Sequence, residues 1–165
     1  MQSEIPNFIA ESLVLLIEEK DYENITISDI VQKAGVSRAS FYRYFQTKEE
    51  VFLHFLELEK KQIIKISKSN DKNQKNPRKT LSLILKSVQN YKALFQSITK
   101  TGLKKLYEEY IDKEIIFLLC KNYDINKNKA VILSGALKNT IFEWLRSNCK
   151  EDVDSLIDDF LESFL

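Results

Sequence analysis

The chain has 165 residues, 44% hydrophobic and 30% charged, the make-up of an ordinary soluble protein long enough to bury a core as one domain or as a small domain fused to a larger one. Only 3 Gly and 2 Pro leave little material for the tight turns of an all-β fold, so the reading is all-α. The net charge of +1 excludes steering by a whole-molecule field, but residues 1–50 hold 5 basic and 9 acidic side chains, 51–80 hold 8 and 3, and 81–165 hold 12 and 12, so any basic function is local.

No apolar run approaches the roughly 20 residues of a membrane-spanning helix, and the opening MQSEIPNF has neither the basic nor the apolar region of a signal peptide. Cys120 and Cys149 make no disulfide framework in a chain of this length, and the expected setting is the reducing cytoplasm. One histidine, no paired-cysteine motif, no glycine-rich phosphate loop and no Ser-His-Asp spacing leave catalysis, metal binding and a cofactor without candidates. His54 reads as a packing or surface residue of a helix.

In chain order, residues 4–20 place Ile9, Leu13, Leu16 and Ile17 at helical spacing, which predicts an amphipathic helix ending near 21–24. Thr26 with Asp29 three residues on is a capping box for a second helix, lined by Ile27, Ile30, Val31 and Ala34. Gly35 stands where a helix stops in the left-handed conformation, and Ser37 is a good N-cap for a short third helix with Phe41 and Phe45 turned inward. Helix, glycine turn and short helix make a helix-turn-helix outline. Thr47 caps a fourth helix from Lys48 to about 66, and the polar, Pro77-broken stretch 67–79 reads as a flexible loop. Further helices are predicted over about 80–99, 103–122, 127–148 and 152–164. The organisation is a helix-turn-helix domain at 1–47, a connecting helix at 48–66, the loop, and a helical regulatory and dimerisation domain at 80–165.

The third helix crowds Ser37, Arg38, Ser40, Tyr42, Arg43 and Tyr44 into eight positions, more donors than a structural corner needs. The run ITISDIVQKAGVSRASFYRYFQTKEEVF, with its Ala-Gly-Val-Ser turn and Phe-Tyr-x-Tyr-Phe helix, resembles the DNA-binding signature of the TetR (tetracycline-repressor-like) family, and the resemblance extends over about residues 5–60. It implies a three-helix DNA-binding domain, a linking fourth helix and a helical ligand-binding and dimerisation domain. By position, it implies that Thr26 and Ser37 hold phosphates at helix N-termini and that Arg38, Ala39 and Ser40 face base edges. Tyr42 and Tyr44 would contact the DNA backbone, Arg43 a base or phosphate, and Lys48 a phosphate. Physical chemistry agrees: helix N-termini present unpaired N–H groups to anions, and arginine can bond guanine O6 and N7 together. The chain departs from the family in carrying Asp21 where Gly is common after the first helix, and in its acidic first 50 residues.

The function implied is a regulator binding a double-stranded operator, with a repressor released by a small-molecule effector as the first reading and an activator or a co-regulator working through a protein partner as the alternatives. The region from about 80 to 165, with ALKNTIFEWLRSN near its end, weakly resembles members of the dihydroxyacetone-kinase regulator type. An effector would sit between the helices of residues 80–148, with Tyr91, Phe95, Tyr107, Tyr110 and Phe117 as candidate walls, although aromatics at helical spacing are more often plain core. A homodimer is expected from the last two helices. Val153, Leu156, Ile157, Phe160, Leu161 and Phe164 form a full apolar stripe, and Leu133, Leu137, Ile141 and Trp144 on the preceding helix are placed to meet it in a four-helix interface.

Overall fold

The structure is a computed structural model that describes residues 4–69, 76–123 and 125–164, the side chains of 67–69, 122 and 164 excepted. Among the described residues there are nine α-helices and one short 3₁₀ turn, and no strand. The chain divides into two compact units, one up to Lys65 and one from Ile66 onward. No helix of the described residues is long and apolar enough to cross a membrane.

In the first unit, α1 (Ile5–Glu19) buries Ile9, Ala10, Leu13, Leu16 and Ile17, and packs on α2 (Ile27–Ala34) and α3 (Arg38–Tyr42). The 3₁₀ turn Tyr22–Asn24 joins α1 to α2. Its approach through Asp21 has φ −56°, ordinary backbone for any residue, so this chain has no need of a glycine there. The capping box forms as its sequence dictates: the Asp29 amide donates to Thr26 Oγ1 at 3.2 Å, and the Thr26 amide donates to Asp29 Oδ2 at 2.7 Å. Gly35 ends α2 at φ +65°, and its amide and that of Val36 close the last turn on Gln32 and Val31 carbonyls. The fourth helix, α4 (Lys48–Ser69), buries Val51, Phe52, Phe55 and Leu56. His54 bonds Asn7 Oδ1 at 3.0 Å and lies edge-on to Phe45, so it serves packing, and burial together with the Lys61 charge lowers its pKa.

The second unit holds α5 (Pro77–Asn90), α6 (Lys92–Ile98), α7 (Leu103–Tyr123), α8 (Lys127–Arg146) and α9 (Val153–Phe164). The loop expected over 67–79 is helical at both ends, and its residues 70–75 lie outside the described residues. Residues 67–69 continue α4, and Pro77, read as a breaker, opens α5 with Asn76 as its cap, because a first-turn proline has no N–H to lose. The single helix expected over 80–99 is two, parted at Tyr91, whose backbone (φ −106°, ψ 35°) leaves the helical region. The helices α7 and α8 form a hairpin pinned by Asp112, which accepts from Ser134 Oγ and Lys138 Nζ, both at 2.7 Å. Burial opposes ionisation of Asp112, but these two donors outweigh it and hold its carboxyl below the usual range. At the corner after α8, Asn148 and Cys149 both take positive φ (63° and 56°), held by the Cys149 amide on the Trp144 carbonyl and by Trp144 Nε1 on the Glu151 carbonyl.

The stripe of α9 finds its partner inside the chain. Val153, Leu156, Ile157 and Phe160 are buried, α9 packs on α5, and Arg78 of α5 pairs with Asp154 and Asp158 on the polar side of α9. Leu133, Leu137, Ile141 and Trp144 are buried as well, and Leu161 is half-buried. The Phe164 side chain lies outside the described residues. The expected dimer interface is therefore corrected: eight of its ten residues are core of a single chain, because one small body with five helices has enough surface to cover them.

Gly35 has open space where a Cβ would stand, so only its backbone resists substitution. Gly35→Ala should cost about 1–2 kcal/mol in chemical denaturation, the penalty of a left-handed residue with a side chain. An unchanged midpoint would show that the turn does not require this conformation.

Candidate nucleic-acid interface

The short helix α3 is displayed by what lies beneath it. Phe41 is 0% exposed and packs against the tilted ring of Phe45 at 5.9 Å between ring centroids, which anchors the inward side. Ser37, Arg38, Ala39, Tyr42 and Arg43 are exposed, and Ser40 and Tyr44 are half-buried. Tyr42 stands edge-on to Phe41, so its ring is braced while its hydroxyl end is free to project. Ser37 Oγ accepts from the Ser40 amide at 3.0 Å, and Thr26 is exposed at the start of α2. These two hydroxyls cap helices, so what they offer an anion is a helix N-terminus with its remaining amides rather than a free hydroxyl. The guanidinium of Arg38 donates to Ser28 Oγ, a contact between α3 and α2 that holds the side chain along the surface.

Lys48 is placed differently from a simple surface cation. Its ammonium donates to the Tyr22 carbonyl at 2.8 Å and to the Ile25 carbonyl at 3.0 Å, and lies 4.1 Å above the Tyr22 ring. Two of its three donors are thereby committed, and one is left. Tyr22, 2% exposed, completes the cluster by donating its hydroxyl to Glu49 Oε1 at 2.8 Å. Burial, then the Glu49 hydrogen bond, pushes the Tyr22 pKa far up, so it remains a donor. Burial opposes ionisation of Glu49, but hydrogen bonds from Tyr22, its own amide and Thr47, with the Lys48 charge, keep it low. Reading the sequence missed Tyr22, Glu49 and Ser28. The available signal was a lone aromatic in the polar turn between α1 and α2, which has little reason to be there unless it is buried.

The second unit holds a cavity of about 360 Å³ whose walls are set by helical spacing. Leu81 and Ile84 of α5, Ile115, Leu118 and Leu119 of α7, Leu133 and Leu137 of α8, and Phe160 of α9 line it, with Pro77, Thr80, Tyr123, Ile125 and Lys129 completing the lining. None of the five expected aromatic walls is among these. Phe95 and Tyr107 are buried and pack at 5.4 Å between centroids, and burial raises the Tyr107 pKa, so both are core. Tyr91 and Tyr110 are half-buried away from the cavity lining, and Phe117 is at the surface under Lys121. The correction has a simple cause: the cavity follows aliphatic residues at steps of three and four on three helices, and Leu133, Leu137 and Phe160, expected to meet a second chain, are among them.

Residues 11–55 match the family of bacterial regulatory proteins described as the tetR family. An uncharacterised HTH-type transcriptional regulator of Bacillus subtilis, YxbF, is 31% identical over 70% of this chain, which spans only 38% of that protein. The dihydroxyacetone kinase operon activator DhaS has the same fold, with a TM-score of 0.71 at 18% identity, covering 97% of this chain and 93% of that one. The transcriptional regulator FadR from Bacillus subtilis, solved in complex with stearoyl-CoA, follows at a TM-score of 0.62 and 19% identity over 94% and 95% of the two chains.

Lys48→Met should destabilise the first unit by about 1–3 kcal/mol, the cost of stranding two part-buried carbonyls, while exposed Arg43→Ala should stay within about 0.5 kcal/mol of the parent. Denaturant midpoints for the two variants check this. Equal midpoints would mean that Lys48 is an ordinary surface cation.

Proposed function

We propose that the chain is a member of the tetR family of bacterial regulatory proteins, whose model its residues 11–55 match, and that it is a repressor that binds a palindromic double-stranded operator as a homodimer and is released by a small-molecule effector. The observation that carries the DNA reading is the division of α3: a fully buried Phe41 underneath and exposed Arg38, Ala39, Tyr42 and Arg43 on top. A major groove admits such a helix, and those side chains supply a bidentate donor, a small apolar contact and phosphate ligands. Arg38 must leave Ser28 to reach a guanine, which keeps the guanidinium extended beforehand rather than free. The N-termini of α2 and α3, at Thr26 and Ser37, and the last donor of Lys48 are suited to phosphates.

Dimerisation is proposed through the outward face of α8. Val131 (47% exposed) and Ile132 (62% exposed) stand beside Gly135 at steps of three and four, and a Cβ on Gly135 would meet nothing within 4 Å. The apolar run 115–120 of α7 is also left with Phe117 56% exposed. A helix apolar on more faces than its own chain covers calls for a further surface, and a two-fold axis supplies it twice. Release by an effector requires only that the ligand bind the DNA-competent and DNA-incompetent states unequally, and coupling is then reciprocal. The cavity of the second unit is the site proposed for it.

Selection from random duplex DNA with the full chain should enrich a palindrome with half-sites about one helical turn, or a multiple, apart. On that sequence Arg38→Ala should cost about 1–3 kcal/mol and relax preference at one position of each half-site. Enrichment of no motif would overturn the operator reading in favour of a co-regulator acting through a protein. In sedimentation at micromolar concentration the parent should be a dimer and Ile132→Glu a folded monomer. A parent that sediments as a monomer would sink the α8 interface.

A further inference from the structure

The cavity is polar at one end only. Along α5 the lining runs from Pro77 and Thr80 to Ile84, along α7 from Tyr123 back to Ile115, and along α8 from Lys129 to Leu137. The Tyr123 hydroxyl lies 3.5 Å from Thr80 Oγ1, which sets the start of α5 beside the end of α7. Eight residues on α7 and on α8 at 1.5 Å each make the slot about 12 Å long. Its lining residues, spread along three helices over that length, give an extended chain continuous apolar contact.

The polar end favours negative charge. Lys129 is the one charged residue among the described lining residues, and none of them is acidic. Two helices, α5 and α8, begin at that end and α7 ends there, so two N-termini offer positive partial charge against that one C-terminus. Tyr123 and Thr80 supply hydroxyls that can donate to an acceptor. A cationic ligand would meet like charge and no carboxylate among the described lining residues, and a pure hydrocarbon would bury these groups without using them.

We infer that the cavity takes a linear amphiphile of medium chain length whose carboxylate is held by Lys129 and Tyr123 while its tail runs down the slot toward Ile115 and Leu137. This rests on the effector reading of the cavity proposed above. The ligand class sets a chemistry for regulation: the signal would be the concentration of an aliphatic acid, read by the apolar lining that takes its tail and by charge through Lys129.

The test is calorimetric titration of the full chain at pH 7, without DNA, using three probes with the same tail: decanoate, decanol and decyltrimethylammonium. Decanoate should bind about tenfold more tightly than decanol, the gain expected of a charge-assisted hydrogen bond, and the ammonium should bind weakest. Lys129→Gln should bring decanoate down to the level of decanol and leave decanol unchanged. Lys129→Glu should reverse the order of decanoate and the ammonium. Decanol equal to decanoate on the parent, a preference that survives Lys129→Gln, or no binding by any probe would each overturn the inference. Operator affinity is measured separately on the same preparations. Loss of ligand binding with operator binding intact would refute this inference alone, whereas decanoate binding that leaves operator affinity unchanged would refute the effector reading and retain the ligand class.

Discussion

The ammonium of Lys48 on the carbonyls of Tyr22 and Ile25 is the contact on which the display of α3 depends. The helix α3 is five residues long, too short to hold its own shape, and must be positioned by its neighbours. Beneath it, Phe41 fixes its depth. Its orientation follows from α2 before it and α4 after it, and Lys48 joins the first residue of α4 to the turn that leads into α2. Tyr22 adds a ring under the ammonium and a hydroxyl to Glu49, so three side chains from two distant stretches close one small network. Such a network is most valuable when complete, since removing one member leaves the others desolvated without partners.

Local sequence chemistry foretold nearly everything in the first unit that lies within four residues. The Thr26–Asp29 box, Gly35 at φ +65°, and the Ser37 cap are each decided by side chains that reach only their own backbone. The Thr47 cap also forms, donated to by the Glu50 amide at 3.2 Å, but Glu50 returns its carboxylate to the Gln46 amide at 2.6 Å rather than to Thr47. The Lys48 network was not legible because it joins residues 23 and 26 positions apart, and nothing in the sequence near Lys48 distinguishes a cation bound for phosphate from one that satisfies a carbonyl. Asp21 was read against a family habit, and its ordinary φ shows that the 3₁₀ turn solves the same chain reversal without a left-handed residue.

In the second unit, periodicity identified buried faces and misassigned what covers them. A stripe such as Val153, Leu156, Ile157 and Phe160 states that a face is apolar; it carries no information on whether α5 or a second chain lies against it. The aromatic candidates failed for a related reason. Phe95 and Tyr107 fill the core with their rings, and the space that stays open is bounded mainly by branched aliphatics, with Tyr123 and Phe160 as its aromatic walls. Pro77 shows the opposite error, a breaker by residue type that is a helix starter by position.

On the proposed reading, DNA affinity rests on a few placed cations and not on a general positive field, in a unit whose first 50 residues carry 5 basic and 9 acidic side chains. Arg38 on α3, Arg43 at its C-cap and the remaining donor of Lys48 are the cations concerned, and Lys60, further along α4, pairs with Glu57 instead. The most direct test is the salt dependence of operator binding by the full chain. About two phosphate contacts, by Arg43 and Lys48, from each of two copies predict a slope of log K against log salt of about −4, at about −0.9 per contact. A slope of about −9 or steeper would place the affinity in the lysine-rich stretch after residue 59, and would contradict the claim.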